Sequence, residues 1–92
     1  LNLYEQAVVQ FGADSQVNMA IEECAELITA LRHYARGKVS IGHVAAEIAD
    51  VEIMMKQLRV IIGDRAVDDK KYDKKVRLAS LLDSNRIEQE KE

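Results

Sequence analysis

Proline is absent from this chain, and its four glycines, Gly12, Gly37, Gly42 and Gly63, fall where helices would begin or end. Proline breaks a helix by removing a backbone donor and clashing with the preceding turn, whereas glycine is favoured at helix ends. The stretches between the glycines can therefore run as uninterrupted helices, and the expected class is all-α with four of them. The first covers about Leu3 to Phe11 and stops at Gly12. Asp14 or Ser15 is expected to cap a long second helix reaching about Arg36, with Gly37 at its C-terminal end. Ser40 caps a third to about Ile62, Gly63 closes it, and Asp64 opens a fourth that runs to about Leu82. One helical domain over residues 1–84 is expected, followed by a charged tail over residues 85–92 that should fray.

The second and third helices are joined by so short a connection that they are expected to form a central antiparallel hairpin within an oligomeric bundle. Two acidic motifs lie on its arms, Glu22-Glu23-Cys24-Ala25-Glu26 and Glu47-Ile48-Ala49-Asp50. At about 1.5 Å per residue, Glu23/Glu26 sit roughly 17 Å from the turn and Glu47/Asp50 roughly 11 Å, so the two pairs meet within about one turn. On a helical wheel Glu23 and Glu26 fall among Met19, Leu27, Ala30 and Tyr34. Glu47 and Asp50 fall among Val44, Val51, Met54 and Leu58. The opposite, solvent sides carry Arg32 and Arg36 on one helix and Glu52, Lys56 and Arg59 on the other.

A single Glu-x-x-Glu is ordinarily a solvated helix face. Two such motifs on apolar faces at one level of a hairpin differ, because carboxylates turned inward need protons, water or cations. Oxygen-only ligands suit Mg²⁺, with Mn²⁺ as the alternative, rather than zinc. A di-iron bundle needs Glu-x-x-His on two helices. Here Ala30 and Ser40 stand three residues before His33 and His43, so that pattern is missing. His33 lies one or two turns past Glu26 on nearly the same face and could line a pocket, although its ordinary reading is a partly exposed helical histidine. His43 has only that ordinary reading. Cys24, about 100° from Glu23 on the wheel, reads as packing.

A net charge of −3 argues against phosphate-backbone binding, so no nucleic-acid partner is expected. One cysteine excludes an internal disulfide framework, and no run of about 18 apolar residues exists to span a bilayer. The expectation is a cytoplasmic chain with no membrane partner. Leu1 is not a start methionine, and the residues after it show no signal-peptide pattern. With one Phe, no Trp and three Tyr the core must be thin, so a homodimer or homotetramer is expected. Lys70, Lys71, Lys74, Lys75 and Arg77 form a basic stretch. Alone it reads as solvated surface; beside an acidic metal site it can serve a polyphosphate. No Walker-type glycine loop is present to cradle phosphates.

The order E-E-x-x-E, then E-x-x-D, resembles the signature of the MazG-type all-α nucleoside triphosphate pyrophosphohydrolases. Ala20-Ile21 before the first motif, Leu27-Ile28 after it, Arg36-Gly37 at the turn and Lys74-Lys75-Val76-Arg77-Leu78 extend the likeness over about Gln16 to Leu82. The resemblance implies hydrolysis of a ribo- or deoxynucleoside triphosphate between the α and β phosphates, in a helical bundle completed by a second subunit. It implies that Glu23, Glu26, Glu47 and Asp50 hold metal ions, and that Lys74 or Lys75 contacts phosphate. Glu22, about 40° from Glu26 on the wheel, is then the candidate to orient or deprotonate the attacking water. Clean-up of the nucleotide pool is the implied role. Two alternatives stand beside it: a phosphoribosyl-ATP pyrophosphohydrolase-like enzyme on the same scaffold, and a non-catalytic helical dimerisation or regulatory module that binds no metal.

Overall fold

The structure, a computed structural model, describes residues 1–91. Among these it contains four α-helices and no strand: α1 (Leu3–Phe11), α2 (Ala13–Ala35), α3 (Ile41–Ile62) and α4 (Asp64–Lys91). None is long and apolar enough to cross a membrane.

Local chemistry explains the ends. Asn2 opens α1 with a capping box: its Oδ1 accepts from the Glu5 amide at 2.8 Å, and its own amide donates to Glu5 Oε1 at 3.0 Å. Gly12, at φ +88°, ends α1 by donating to the Val8 carbonyl and immediately becomes the N-cap of α2. Asp14 and Ser15 therefore do not cap α2, contrary to expectation; both lie inside its first turn, where Asp14 complements the helix dipole. The reason is that one glycine with positive φ turns the chain without a linker, leaving no non-helical residue to carry a side-chain cap. At the other end of α2, Gly37 adopts φ +71°. The Lys38 amide bonds the His33 carbonyl at 2.8 Å and the Gly37 amide bonds that of Tyr34 at 2.9 Å, the paired bonds of a Schellman motif. Ser40 caps α3 as expected, its Oγ accepting from the His43 amide at 3.1 Å.

The chain divides into two compact units, Leu1–Ile62 and a second beginning at Gly63. In the first, α2 packs along α3, and α1 lies mainly against α3 with a smaller contact to α2. Ala30 and His33, late in α2, share a cleft with His43 and Glu47, early in α3; Val17 and Ile21, early in α2, share a groove with Met55 and Leu58, late in α3. The buried residues of the two long helices are Gln16, Ala20 and Ala30 on α2 and Val44, Met54 and Gln57 on α3. The core is as thin as the composition requires. Ala20, Ala30, Val44 and Met54 are its buried apolar residues, and among the described residues no large side chain is fully enclosed. Met19 and Tyr34, placed by the wheel on the inner face, are exposed, while Gln16 is buried and Arg59 half-buried.

The second unit is α4. It continues to Lys91, past the end expected near Leu82, because no glycine or proline interrupts it and Arg86 and Glu90 add an exposed i,i+4 pair at 4.0 Å. Its apolar side chains Tyr72, Val76, Leu78, Leu81, Leu82 and Ile87 are exposed. Glu92 lies outside the described residues.

Candidate functional site

The packing that sets late α2 beside early α3 brings Glu26 and Glu47 into one cleft. Carboxylate oxygens of Glu23, Glu26 and Glu47 lie within 4.8 Å of one another. Asp50 is not a member of that group, although its charge acts on Glu23. The inward placement expected of four acids applies to two: Glu23 and Glu47 are half-buried, whereas Glu26 and Asp50 are exposed. Rotation about each axis accounts for the difference, since positions three apart on a helix diverge by about 60° and only one of each pair can point squarely at the neighbouring helix.

The electrostatics are those of an uncompensated group of like charges. Glu23 has its carboxyl pKa raised, first by desolvation and then by the charges of Glu26, Asp50 and Glu47. A hydrogen bond with Glu26 acts in the same direction, because two carboxyls can share one only if a proton sits between them. One oxygen of Glu23 and one of Glu47 are shielded from solvent and have no hydrogen-bond partner. Buried carboxylate oxygens normally find a donor. Two such oxygens facing a third acid can be satisfied by a cation, a proton or water.

Beside this group opens a cleft of about 410 Å³. It is lined by Ala25, Glu26, Thr29, Ala30 and His33 of α2 and by His43 and Glu47 of α3. Sequence reasoning had an argument for His33 alone. The signal for His43 was its position one turn before Glu47, which puts both on one side of α3. Cys24 is a free thiol in a separate apolar groove of about 430 Å³, between Ile21 and Ile28 of α2 and facing Met55 and Leu58 of α3. Its reading as a packing residue fits that place.

Glu22 is exposed on α2, one turn before Glu26. Lys74 and Lys75 belong to α4, where with Lys70 and Lys71 they border an apolar strip containing Val67 and Leu78. Comparison of the chain with protein-family models, with curated proteins and with solved structures finds no match.

Proposed function

We propose that the chain is a metal-dependent nucleoside triphosphate pyrophosphohydrolase that yields a nucleoside monophosphate and pyrophosphate. One observation carries the reading: two shielded, unpartnered carboxylate oxygens, from Glu23 and Glu47, converge with Glu26 between two helices. Three oxygen donors within 4.8 Å fit the small hard cation Mg²⁺, and Asp50, whose charge acts on Glu23, is the fourth acid of the motif pair. Bound there, the ion supplies a water of lowered pKa and neutralises charge developing on the phosphates.

The chain's own residues do the rest. Glu23, Glu26, Glu47 and Asp50 would hold the metal. Glu22 takes up the proton of the attacking water or orients it. The resemblance assigns a phosphate contact to Lys74 or Lys75 of α4. The antiparallel α2–α3 hairpin supplies acids from both arms, so site and fold are one object. The order and spacing of the two acidic motifs, which resemble those of the MazG-type enzymes, support the reaction class.

A second copy of the chain completes the fold in this reading. The groove formed by Val17, Ile21, Cys24, Ile28, Met55 and Leu58 is almost wholly apolar, with Ile21 62% and Ile28 58% exposed. A face of that kind, in a unit whose own core is four small or medium side chains, is where an obligate helical partner packs.

The test is a panel of ribo- and deoxynucleoside triphosphates incubated with Mg²⁺, with products separated by chromatography. Monophosphate and pyrophosphate should appear in equal amounts and vanish in EDTA. Diphosphate with inorganic phosphate would overturn the reaction class, and no turnover of any nucleotide would favour the non-catalytic module.

A further inference from the structure

We propose that the cleft beside the acidic group seats the nucleoside part of the substrate, and that His33 and His43 are the residues that choose among nucleotides. The proposal rests on the reading of Glu23, Glu26 and Glu47 as the metal and phosphate end, and adds to it the other half of the ligand.

Continuity is the first reason. Glu26 and Glu47 belong both to the converging carboxylates and to the lining of the cleft, so a ligand anchored through a metal at those acids extends into it. A volume of about 410 Å³ is within the range of roughly 300–1,000 Å³ for small-molecule sites. His43 lies about 6 Å along α3 from Glu47 and His33 about 10 Å along α2 from Glu26, at the rise of 1.5 Å per residue. Both spans lead toward the α2–α3 turn.

Chemistry is the second. Between Glu26 and His33 the α2 side of the cleft is lined by Thr29 and the small Ala30, which leaves room for a flat ring. Thr29 has its hydroxyl hydrogen committed to the Ala25 carbonyl at 3.2 Å, so toward a ligand it offers acceptor lone pairs. The imidazoles are planar, stack on heteroaromatic rings, and each presents a donor and an acceptor when neutral. Neither ring makes a hydrogen bond or ion pair with another described residue. Neither joins the carboxylates closely enough to be a metal ligand. Two uncommitted aromatic donor–acceptor rings in a lining with small side chains suit a nucleobase and its sugar better than a second phosphate, which would ask for fixed cations.

Positioning is the third. The His33 carbonyl accepts the Schellman bond from Lys38, and the His43 amide donates to Ser40 Oγ. Both histidines are therefore tied to the two caps that define the turn, and their spacing is set by backbone rather than by flexible side-chain contacts.

The chain has only two histidines, so an imidazole-selective NMR spectrum reads these two rings and nothing else. The full chain is titrated with an α,β-methylene nucleoside triphosphate plus Mg²⁺ and, separately, with tripolyphosphate plus Mg²⁺. Both imidazole sets should shift with the nucleotide and move far less with tripolyphosphate. In parallel, His33→Ala and His43→Ala should each compress the ratio of kcat/KM between the best and worst nucleotide by about tenfold or more, with the metal requirement unchanged. The proposal is overturned, while the enzyme assignment stands, if nucleotides are hydrolysed with Mg²⁺ but the imidazoles do not shift and the variants keep the parent's preference. If no nucleotide binds or turns over, the assignment and the proposal fall together.

Discussion

Met54→Ala tests the register on which the acidic site depends. Met54 is 5% exposed and is the largest of the four buried apolar side chains, one turn after Asp50 on α3. The substitution removes Cγ, Sδ and Cε. At about 0.8 kcal/mol per buried methylene-sized group, the lost transfer energy is about 2.4 kcal/mol. The cavity left by incomplete collapse adds to it, within the range of about 2–5 kcal/mol typical of such truncations. A unit of this length, Leu1–Ile62, has a total stability of about 3–9 kcal/mol at 0.05–0.15 kcal/mol per residue. The variant should therefore lose a large fraction of it, read as a drop in the urea midpoint followed by circular dichroism. The neighbouring Ile53, 46% exposed, serves as the comparison. Its truncation to Ala removes three carbons of which about half the surface is buried, for about 1.3 kcal/mol. Successive helical positions point about 100° apart, so the ordering of the two variants reports which way α3 faces. If Ile53→Ala cost more than Met54→Ala, the buried stripe would be rotated, and Glu47 and Asp50 with it.

Three further outcomes follow from the same geometry. Ser40→Ala deletes the cap on the His43 amide and should cost about 1 kcal/mol in a denaturant melt, with Ser40→Asp restoring most of it. Glu23 has a raised carboxyl pKa, so the folded state binds its proton more tightly than the unfolded one. Its contribution to stability is therefore full below the unfolded pKa and lost as pH rises through the folded value. Melts of the metal-free chain should show stability falling as pH rises above the ordinary carboxylate range, and Glu23→Gln should flatten that fall. Light scattering after size exclusion should give at least twice the 10.4 kDa chain mass at micromolar concentration, and Ile21→Asp in the apolar groove should lower it.

What was legible in the sequence was whatever depends on local chemistry and period. The limits of α1, the Ser40 cap and the glycine at the end of α2 are decided within a few residues, and they stand where the chain alone placed them. Counting residues from the turn set Glu23 and Glu26 near the level of Glu47, and carboxylate oxygens of these three converge; Asp50, counted with them, is not in that group. The exact rotation of each helix was not legible. Packing of small residues such as Ala20 and Ala30 draws Gln16 inward and leaves Met19 and Tyr34 outside, against their hydrophobicity. For the same reason Glu23 and Glu47 turn inward and Glu26 and Asp50 stay exposed. The dual role of Gly12 was hidden because a cap-forming pair, Asp14-Ser15, followed it. The length of α4 was hidden because polar composition reads as fraying even where nothing breaks the helix. His43 escaped because its place in the cleft depends on α2 standing opposite.

The measurement closest to the central claim is a thermal melt of the parent and of Glu26→Gln, each in EDTA and in Mg²⁺. A divalent ion that binds only the folded acidic group stabilises it by about 2.7 kcal/mol at a concentration 100 times its Kd. For a chain of this size that raises the midpoint by about 10–20 °C. The account predicts that rise for the parent, and its loss in Glu26→Gln, whose metal-free midpoint should equal or exceed the parent's because one of the repelling charges on Glu23 is gone. A parent midpoint indifferent to Mg²⁺, together with a Glu26→Gln variant that melts below the metal-free parent, would show the acids to be structural and would end the enzyme assignment.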